Sequence, residues 1–327
     1  MAQTFQDFEL VVVDDASTDA TPSILAGITD PRLRVLRAQR NLGAAGARNL
    51  GFDQCRGEYL AILDHDDLCR PERLAAQVTF LDRNPGVVLV GSEVRILRGR
   101  RLDAPDHPSG GSPLLMRWLL HIDNPLTFSS VTMRMNAVRQ LGTFLRPGLS
   151  EDYDLYHRLL GVGEIARLDD VLTVWRAHST NVSTLAPDAM LQGAVAVLAP
   201  AISPWVGDAN ALEAASLVIR HLSERQPTIE AATLKRLGTV LEQLAKGFCA
   251  RHATGAEDRA IVWAQASRSW WQAVRAGARS GRPGLVRHWW SRPALRVGFR
   301  PSPTDLAVTI GLSLGRGVGR RLPMRRR

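Results

Sequence analysis

Cysteine is scarce in this 327-residue chain: there are three, Cys55, Cys69 and Cys249, and none is spaced as C-x-x-C. That pattern excludes a disulfide framework and a thiolate zinc site and points to a reducing compartment. The first seven residues have no basic segment and no apolar segment, so no secretory leader is expected. No run of eighteen or more apolar residues occurs, and the expectation is that nothing spans a bilayer. Acid is almost missing from residues 261–327, which carry fourteen Arg, no Lys and a single acid, Asp305. Subtracting that segment's +13 from the chain's +9 leaves residues 1–260 at −4.

The charge is therefore polarised, with a slightly acidic body and a strongly basic end. A basic end suits a polyanionic partner such as anionic lipid, nucleic acid or a charged polysaccharide. The competing reading is a solvated, arginine-rich surface with no partner. Trp270-Trp271 and Trp289-Trp290 lie among these arginines. They suit either an anionic membrane surface or a packed core. No recognisable nucleic-acid module accompanies them.

Residues 8–97 alternate short apolar runs with helical patterns. Residues 8–13, 33–36, 59–63 and 87–90 read as strands, and helices are expected from Thr21-Pro22, over 44–55 and over 71–84. This β-α rhythm predicts an α/β fold with a doubly wound, mostly parallel sheet, whose ligands bind beyond the carboxyl ends of the strands. Residues 98–113 read as a loop, 113–122 as a helix, 126–133 as a strand, 151–160 as a helix capped by Ser150, and 171–175 as a last strand. After residue 183 only helical spacing remains. From 279 onward Gly, Pro and Arg dominate, and weak order is expected. The expected domains are 1–183, a helical region 184–278 and a basic tail 279–327.

Two expected strands end in clustered acids: Asp14-Asp15, and Asp64-His65-Asp66-Asp67. Like charges that close are costly unless a cation neutralises them, and a hard divalent ion bridging to phosphates is the natural candidate. A solvated acidic turn before a helix is the plainer alternative. Glu151, Asp152 and Asp154 crowd a first helical turn, where acids also complement the helix dipole.

Taken together, these segments carry a resemblance. Gln3-Thr4-Phe5 running through Val13-Asp14-Asp15 to Asp19 resembles the second-strand motif of family-2 glycosyltransferases. Asn41-Leu42-Gly43-Ala44-Ala45-Gly46-Ala47-Arg48-Asn49 is similar to that family's next nucleotide-binding segment. Leu63-Asp64-His65-Asp66-Asp67, followed by Pro71, resembles its metal-binding D-x-D motif. Ser150-Glu151-Asp152-Tyr153-Asp154-Leu155 resembles the segment supplying the catalytic base, and Trp175-Arg176-Ala177-His178 with Asn181 and Ser183 resembles the close of the catalytic domain. The match covers residues 3–183, with five motifs in order.

The resemblance implies a GT-A fold and an inverting transfer of a sugar from a nucleoside-diphosphate sugar, most readily a uridine one, to a hydroxyl of a glycan or lipid-linked acceptor. It implies Asp14, Asp15, Arg48, Asp64 and Asp66 for the nucleotide sugar. Asp66 and Asp67, with His178 as a further ligand, would hold Mn²⁺ or Mg²⁺. Asp152, ahead of Glu151, would be the base. Asp15 capping its own turn, Arg48 as a surface residue and a structural His178 stay open as alternatives. A cytoplasmic enzyme at the inner face of a membrane, making polysaccharide for the cell envelope, is the expected setting.

The family normally begins with a strand and a Thr-Tyr-Asn-like loop ahead of the Gln-Thr-Phe motif, and this sequence begins beyond both. The expectations are an unpaired edge beside the first strand and low activity. A non-catalytic sugar-nucleotide-binding or scaffold protein is the second reading, and a nucleic-acid-binding protein driven by the basic end is the third.

Overall fold

The computed structural model describes residues 2–103, 111–148, 150–179, 181, 185–228 and 230–319, with side chains described to residue 312. Ser183, part of the loop at 98–113 and the last eight residues of the basic tail lie outside the described residues. The chain divides into two compact units, residues 1–120 with 124–193, and residues 121–123 with 194–327.

The first unit opens with β1 (Leu10–Asp14), α1 (Thr21–Ala26), β2 (Leu33–Arg37) and α2 (Gly43–Gln54). β1 and β2 pair in parallel, Leu10 opposite Leu33. Among the described residues β1 has no strand on its other edge. The N-terminal segment is anchored elsewhere. Thr4 N–H donates to the Pro71 carbonyl at 2.8 Å, and the Gln3 amide donates to the Arg70 carbonyl at 2.8 Å and accepts from Leu74 N–H at 3.0 Å.

The second sheet contains β3 (Tyr59–Ala61), β4 (Leu68–Cys69), β5 (Val87–Arg98), β6 (Arg101–Asp103), β7 (Thr132–Arg134) and β8 (Glu164–Ala177), in the order β3-β7-β5-β8-β4, with β6 hairpinned onto β5. β5 and β8 are parallel; β3–β7, β5–β7, β4–β8 and β5–β6 are antiparallel. The α/β class and GT-A-type plan hold, but the mostly parallel sheet needs correction. Among the described residues parallel pairing is confined to β1–β2 and β5–β8. The chain folds back at 64–69 and again at 124–131, and each reversal delivers an antiparallel strand.

Local readings differ in detail. The apolar run 126–133 is a 3₁₀ turn (Phe128–Ser130) followed by the short β7, because a buried apolar run serves either form. β5 runs eight residues past Val90 and turns at Gly99, whose φ of 58° suits a two-residue hairpin. Ser150 does not cap α6 (Glu151–Leu159): it sits at φ 67°, and its hydroxyl donates to the Met190 carbonyl.

Behind the acidic loop, α3 (Arg73–Arg83) inserts a polar knot into the core. Arg73, 2% exposed, donates to the Ile62 and Val131 carbonyls, both at 2.9 Å, and to Gln77 Oε1. The Gln77 amide donates to the Ser130 and Val90 carbonyls, and its oxygen accepts from Thr132. Leu81, Val87, Val90 and Ala166 form a buried apolar cluster of their own. A buried guanidinium is tolerable when its N–H groups are answered, and here they pin the strand ends that launch the acidic loop.

The remaining helices are α4 (Pro113–Leu119), α5 (Met135–Gln140), α7 (Pro187–Val206), α8 (Asp208–Val218), α9 (Ala231–His252), α10 (Ala256–Arg279) and α11 (Pro303–Gly319). α7 is the one described helix long and apolar enough to cross a membrane by length and composition, a case that the run-length reading missed; its Leu198 and Ile202 are fully buried. In the second unit, Leu234, Leu237, Leu241, Leu244 and Phe248 make a buried stripe on α9, and Val262, Ala266, Trp270 and Val274 make one on α10.

Weak order from 279 onward is not what is found up to residue 319. Short 3₁₀ turns at Pro283–Trp289 and Pro293–Arg296 lead into α11. The two turns are held by buried Leu285, Trp289 and Leu295 and by Arg292, which pairs with Glu242 at 3.1 Å. α11 is held by Asp305. It accepts from Trp271 Nε1 at 2.6 Å and pairs with Arg275 and Arg279, each at 3.3 Å, fastening α11 to α10. Trp270, Trp271 and Trp289 are core residues at 0%, 2% and 4% exposure; Trp290 is exposed.

Candidate active site

The acidic residues do different work. Asp14, at the end of β1, is 3% exposed; its Oδ1 accepts Ser17 N–H at 2.9 Å and its other oxygen lies 3.6 Å from Arg37 Nε. The Ser17 hydrogen bonds hold its carboxyl below the usual aspartate value. Thus Asp14 closes the turn that could have been assigned to Asp15. Asp15 reaches instead to the start of α2, accepting from Leu42 N–H at 2.7 Å and Gly43 N–H at 3.0 Å. Those amides have no partner within the helix, so Asp15 caps α2 from outside it. Each of its oxygens keeps acceptor capacity for a further donor.

Arg48, five residues into α2, joins two distant motifs. Its guanidinium meets Asp64 Oδ1 at 2.6 Å and Glu151 Oε1 at 2.9 Å, and lies 5.0 Å above the Phe128 ring. The expected phosphate contact is thus an internal clamp between the acidic loop and the start of α6. The paired amide of Asn49 with Leu145, at 2.8 and 2.9 Å, fixes the same helix to the chain before α6.

Asp64 turns toward Arg48, while Asp66 and Asp67 face the end of β8. Asp66 Oδ2 lies 2.7 Å from His178 Nε2 and 3.4 Å from Asn181 Nδ2. Burial works to raise the Asp66 carboxyl, yet the His178 contact wins and its net value is lowered. Asp67, 6% exposed, accepts Arg176 N–H at 2.8 Å on Oδ1. Its Oδ2 is buried without a well-aligned hydrogen bond; burial raises its carboxyl, against a smaller lowering by the Ser129 hydroxyl and Arg176 N–H. An unanswered buried carboxylate oxygen is where a hard cation would fit, since Mg²⁺ and Mn²⁺ sites commonly use one or two carboxylates and take the rest from phosphates and water. Among the described residues no three His, Cys, Asp or Glu side chains gather to hold an ion by themselves. His178 Nε2 is engaged with Asp66.

Asp152 follows the Ser150 turn. Its Oδ2 accepts from Asn124 Nδ2 at 3.0 Å and its Oδ1 from Tyr153 N–H at 2.8 Å. Burial, then the neighbouring Glu151 charge, lift it to about 6 from an ordinary 3.8. Glu151 is engaged by the Arg48 charge, whereas Asp152 is held by neutral N–H donors.

Three participants were not legible in the sequence. Asn124 lies in a loop with no motif. Tyr156, one turn beyond Asp152, has a fully buried hydroxyl with no partner, and its ring meets Phe128 at 6.4 Å. Burial, then the charges of Asp152 and Asp64, push the Tyr156 phenol well above its usual value. His157 is half-buried against the Leu120 carbonyl, 3.0 Å away, and loss of solvent lowers it to about 4. The i, i+4 relation of Tyr156 to Asp152 was the available signal.

Residues 1–142 match the family model described as glycosyl transferase family 2. The amylovoran biosynthesis glycosyltransferase AmsE of Erwinia amylovora is 30% identical over 195 residues, 55% of this chain and 69% of AmsE. This chain belongs to glycosyltransferase family 2.

A second relative within family 2 is the succinoglycan biosynthesis protein ExoO of Rhizobium meliloti (strain 1021), 44% identical over 103 residues, 31% of this chain and 30% of that protein. An uncharacterized Haemophilus influenzae glycosyltransferase is 27% identical over 195 residues, 56% of this chain and 60% of its own length. The chain therefore spans between about a third and two thirds of these relatives. Staphylococcus aureus TarS shares the fold at a TM-score of 0.51 and 18% identity, over 84% of this chain and 50% of TarS.

Proposed function

We propose that this family-2 member transfers a sugar from a nucleoside-diphosphate sugar to an acceptor hydroxyl with inversion at the anomeric carbon, and that the acceptor is a growing polysaccharide or its lipid-linked precursor. The observation that carries the reading is Asp152: a carboxyl raised to about 6, held by Asn124 and Tyr153 N–H, beside an Arg48 that binds the acidic loop. A base with that proton affinity is ionised at neutral pH and still takes a proton well.

In the proposed step the acceptor oxygen attacks the anomeric carbon as its proton passes to Asp152. The bond from that carbon to the diphosphate breaks, and its electron pair leaves on the phosphate oxygen. Asp66 and Asp67 would hold Mn²⁺ or Mg²⁺, which when bound neutralises charge on the departing diphosphate. His178 and Arg176 N–H orient those two carboxylates. Asp14 and Asp15 shape the wall on which the nucleoside would sit, Asp15 by fixing the start of α2. A uridine diphosphate sugar is the proposed donor and an anionic membrane surface the proposed workplace. The names of AmsE and ExoO, both biosynthesis proteins, support the polysaccharide assignment.

The test is a thermal-shift screen of nucleoside-diphosphate sugars with Mn²⁺, followed by turnover of the stabilising donor. Asp152→Asn should abolish transfer while keeping the donor shift. Transfer undiminished in Asp152→Asn would overturn the assignment, and donor binding without turnover in the unaltered chain would favour the non-catalytic reading.

A further inference from the structure

A cavity of about 230 Å³ opens in the first unit between β5, β8 and the loop ahead of β7, with Glu93, Ile96, Pro125, Arg167 and Trp175 in its lining. It is smaller than the roughly 300–1,000 Å³ of pockets that enclose drug-sized ligands, and suits a single ring. Ile96 and Trp175 are direct partners across β5 and β8, so they share a face and make an apolar floor. Trp175 is half-buried, which leaves part of its indole for a ligand. Glu93 supplies a polar end. β5 and β8 lose register on both sides of Glu93, the kind of irregularity that re-aims a side chain. Arg167 Nη2 lies 3.3 Å from Glu93 Oε2; the Arg167 side chain is 1% exposed and that of Glu93 19%. The arginine therefore holds the carboxylate from behind, and the carboxylate is the end that a ligand meets. The lining is also tied to the candidate site. Pro125 follows Asn124, which donates to Asp152, and Trp175 precedes Arg176, whose N–H donates to Asp67.

We propose that this cavity receives the terminal sugar of the acceptor and that this sugar is a neutral pyranose. The C–H face of such a ring lies flat on the Trp175 indole, and its hydroxyls donate to the Glu93 carboxylate, which can only accept. The accessible charge is negative, so an acidic sugar meets repulsion in the same place. The inference rests on the transferase reading above and names the class of acceptor that the same site would use. A sugar held here lies one residue along the chain from Asn124, which steadies the proposed base, and one from Arg176, which steadies a proposed metal carboxylate.

The experiment is saturation-transfer NMR on the full chain, with each probe added alone and again with Mn²⁺ and uridine diphosphate present. The neutral probes are the methyl pyranosides of glucose, galactose and mannose, and the acidic probe is methyl glucuronide. At least one neutral glycoside should bind through its ring C–H protons, and the glucuronide should bind at least about tenfold more weakly. Trp175→Ala should weaken neutral binding by about tenfold, while Trp175→Phe, which keeps an aromatic floor, should retain most of it and guards against a folding failure of the first. Glu93→Gln should narrow the gap between neutral and acidic glycosides, a change that a merely structural role would not produce. No binding of any neutral glycoside under either condition, preference for the glucuronide, or neutral binding untouched by Trp175→Ala would overturn the proposal. None of these readouts needs turnover, and Asp152→Asn should bind the glycosides like the unaltered chain, so a failed transfer assay and a failed acceptor cavity remain distinguishable.

Discussion

Replacing Asp152 with Asn should make the protein more stable while removing its chemistry, and the gain should depend on pH. Folding lifts this carboxyl from an ordinary 3.8 to about 6. A carboxyl whose proton is held more tightly in the folded chain destabilises that chain whenever it ionises. Each tenfold step in proton affinity is worth about 1.4 kcal/mol, so the full cost is about 3 kcal/mol, and about 1–3 once relaxation around the charge is allowed for. The direction follows from the raised value. The stabilising contribution is complete below about 3.8 and is lost as pH rises through about 6. Asn cannot ionise and escapes that loss, and its oxygen can still accept one of the two N–H groups. Urea unfolding of both proteins at several pH values between about 5 and 8 is the assay. The advantage of the Asn variant should grow from pH 5 to about 7 and then level off, while transfer falls by about 10²–10⁴. A stability gap that does not change with pH, or an Asn variant weaker throughout, would refute the burial argument and with it the tuned base.

Four further outcomes are expected. Asp67→Asn should weaken Mn²⁺ binding, read by titration calorimetry with a nucleoside diphosphate present, with little loss of fold, because the unanswered oxygen is the one altered. Arg48→Ala should lower stability by about 1–3 kcal/mol in urea unfolding, because it strands Asp64 and Glu151 together. Tyr156→Phe should leave stability unchanged or raise it by about 1 kcal/mol, since its hydroxyl is buried without a partner. His157 has a folded value of about 4 against an ordinary 6.5, so its contribution is present above about 6.5 and is lost as pH falls through about 4; His157→Gln should flatten that acid limb in pH-dependent unfolding.

The β-α rhythm up to β3 was legible because each strand there is a short apolar run bounded by turn residues, and both acidic clusters announced strand ends. The antiparallel strands were not. β4 is two residues long and β7 three, too short to show a period, and they exist because β8 and β5 offer them edges. β5 was cut short because Glu93 and Arg95 interrupt its apolar run, although Arg167 lies beside Glu93 at 3.3 Å. Motif residues were legible as types but not as partners. Asp15 and Arg48 carry no mark in sequence that says each will bind a neighbouring motif. The docking of α11 turned on one acid in an arginine-rich stretch, which composition averages away.

Because Arg48 answers to both Asp64 and Glu151, the acidic loop and α6 are not interchangeable parts. A loop grafted from a relative with a neutral residue at the Asp64 position would leave α2 held from one side only. Exchange of donor preference between relatives should therefore succeed when positions 48, 64 and 151 travel as a set, and stall when the loop travels alone.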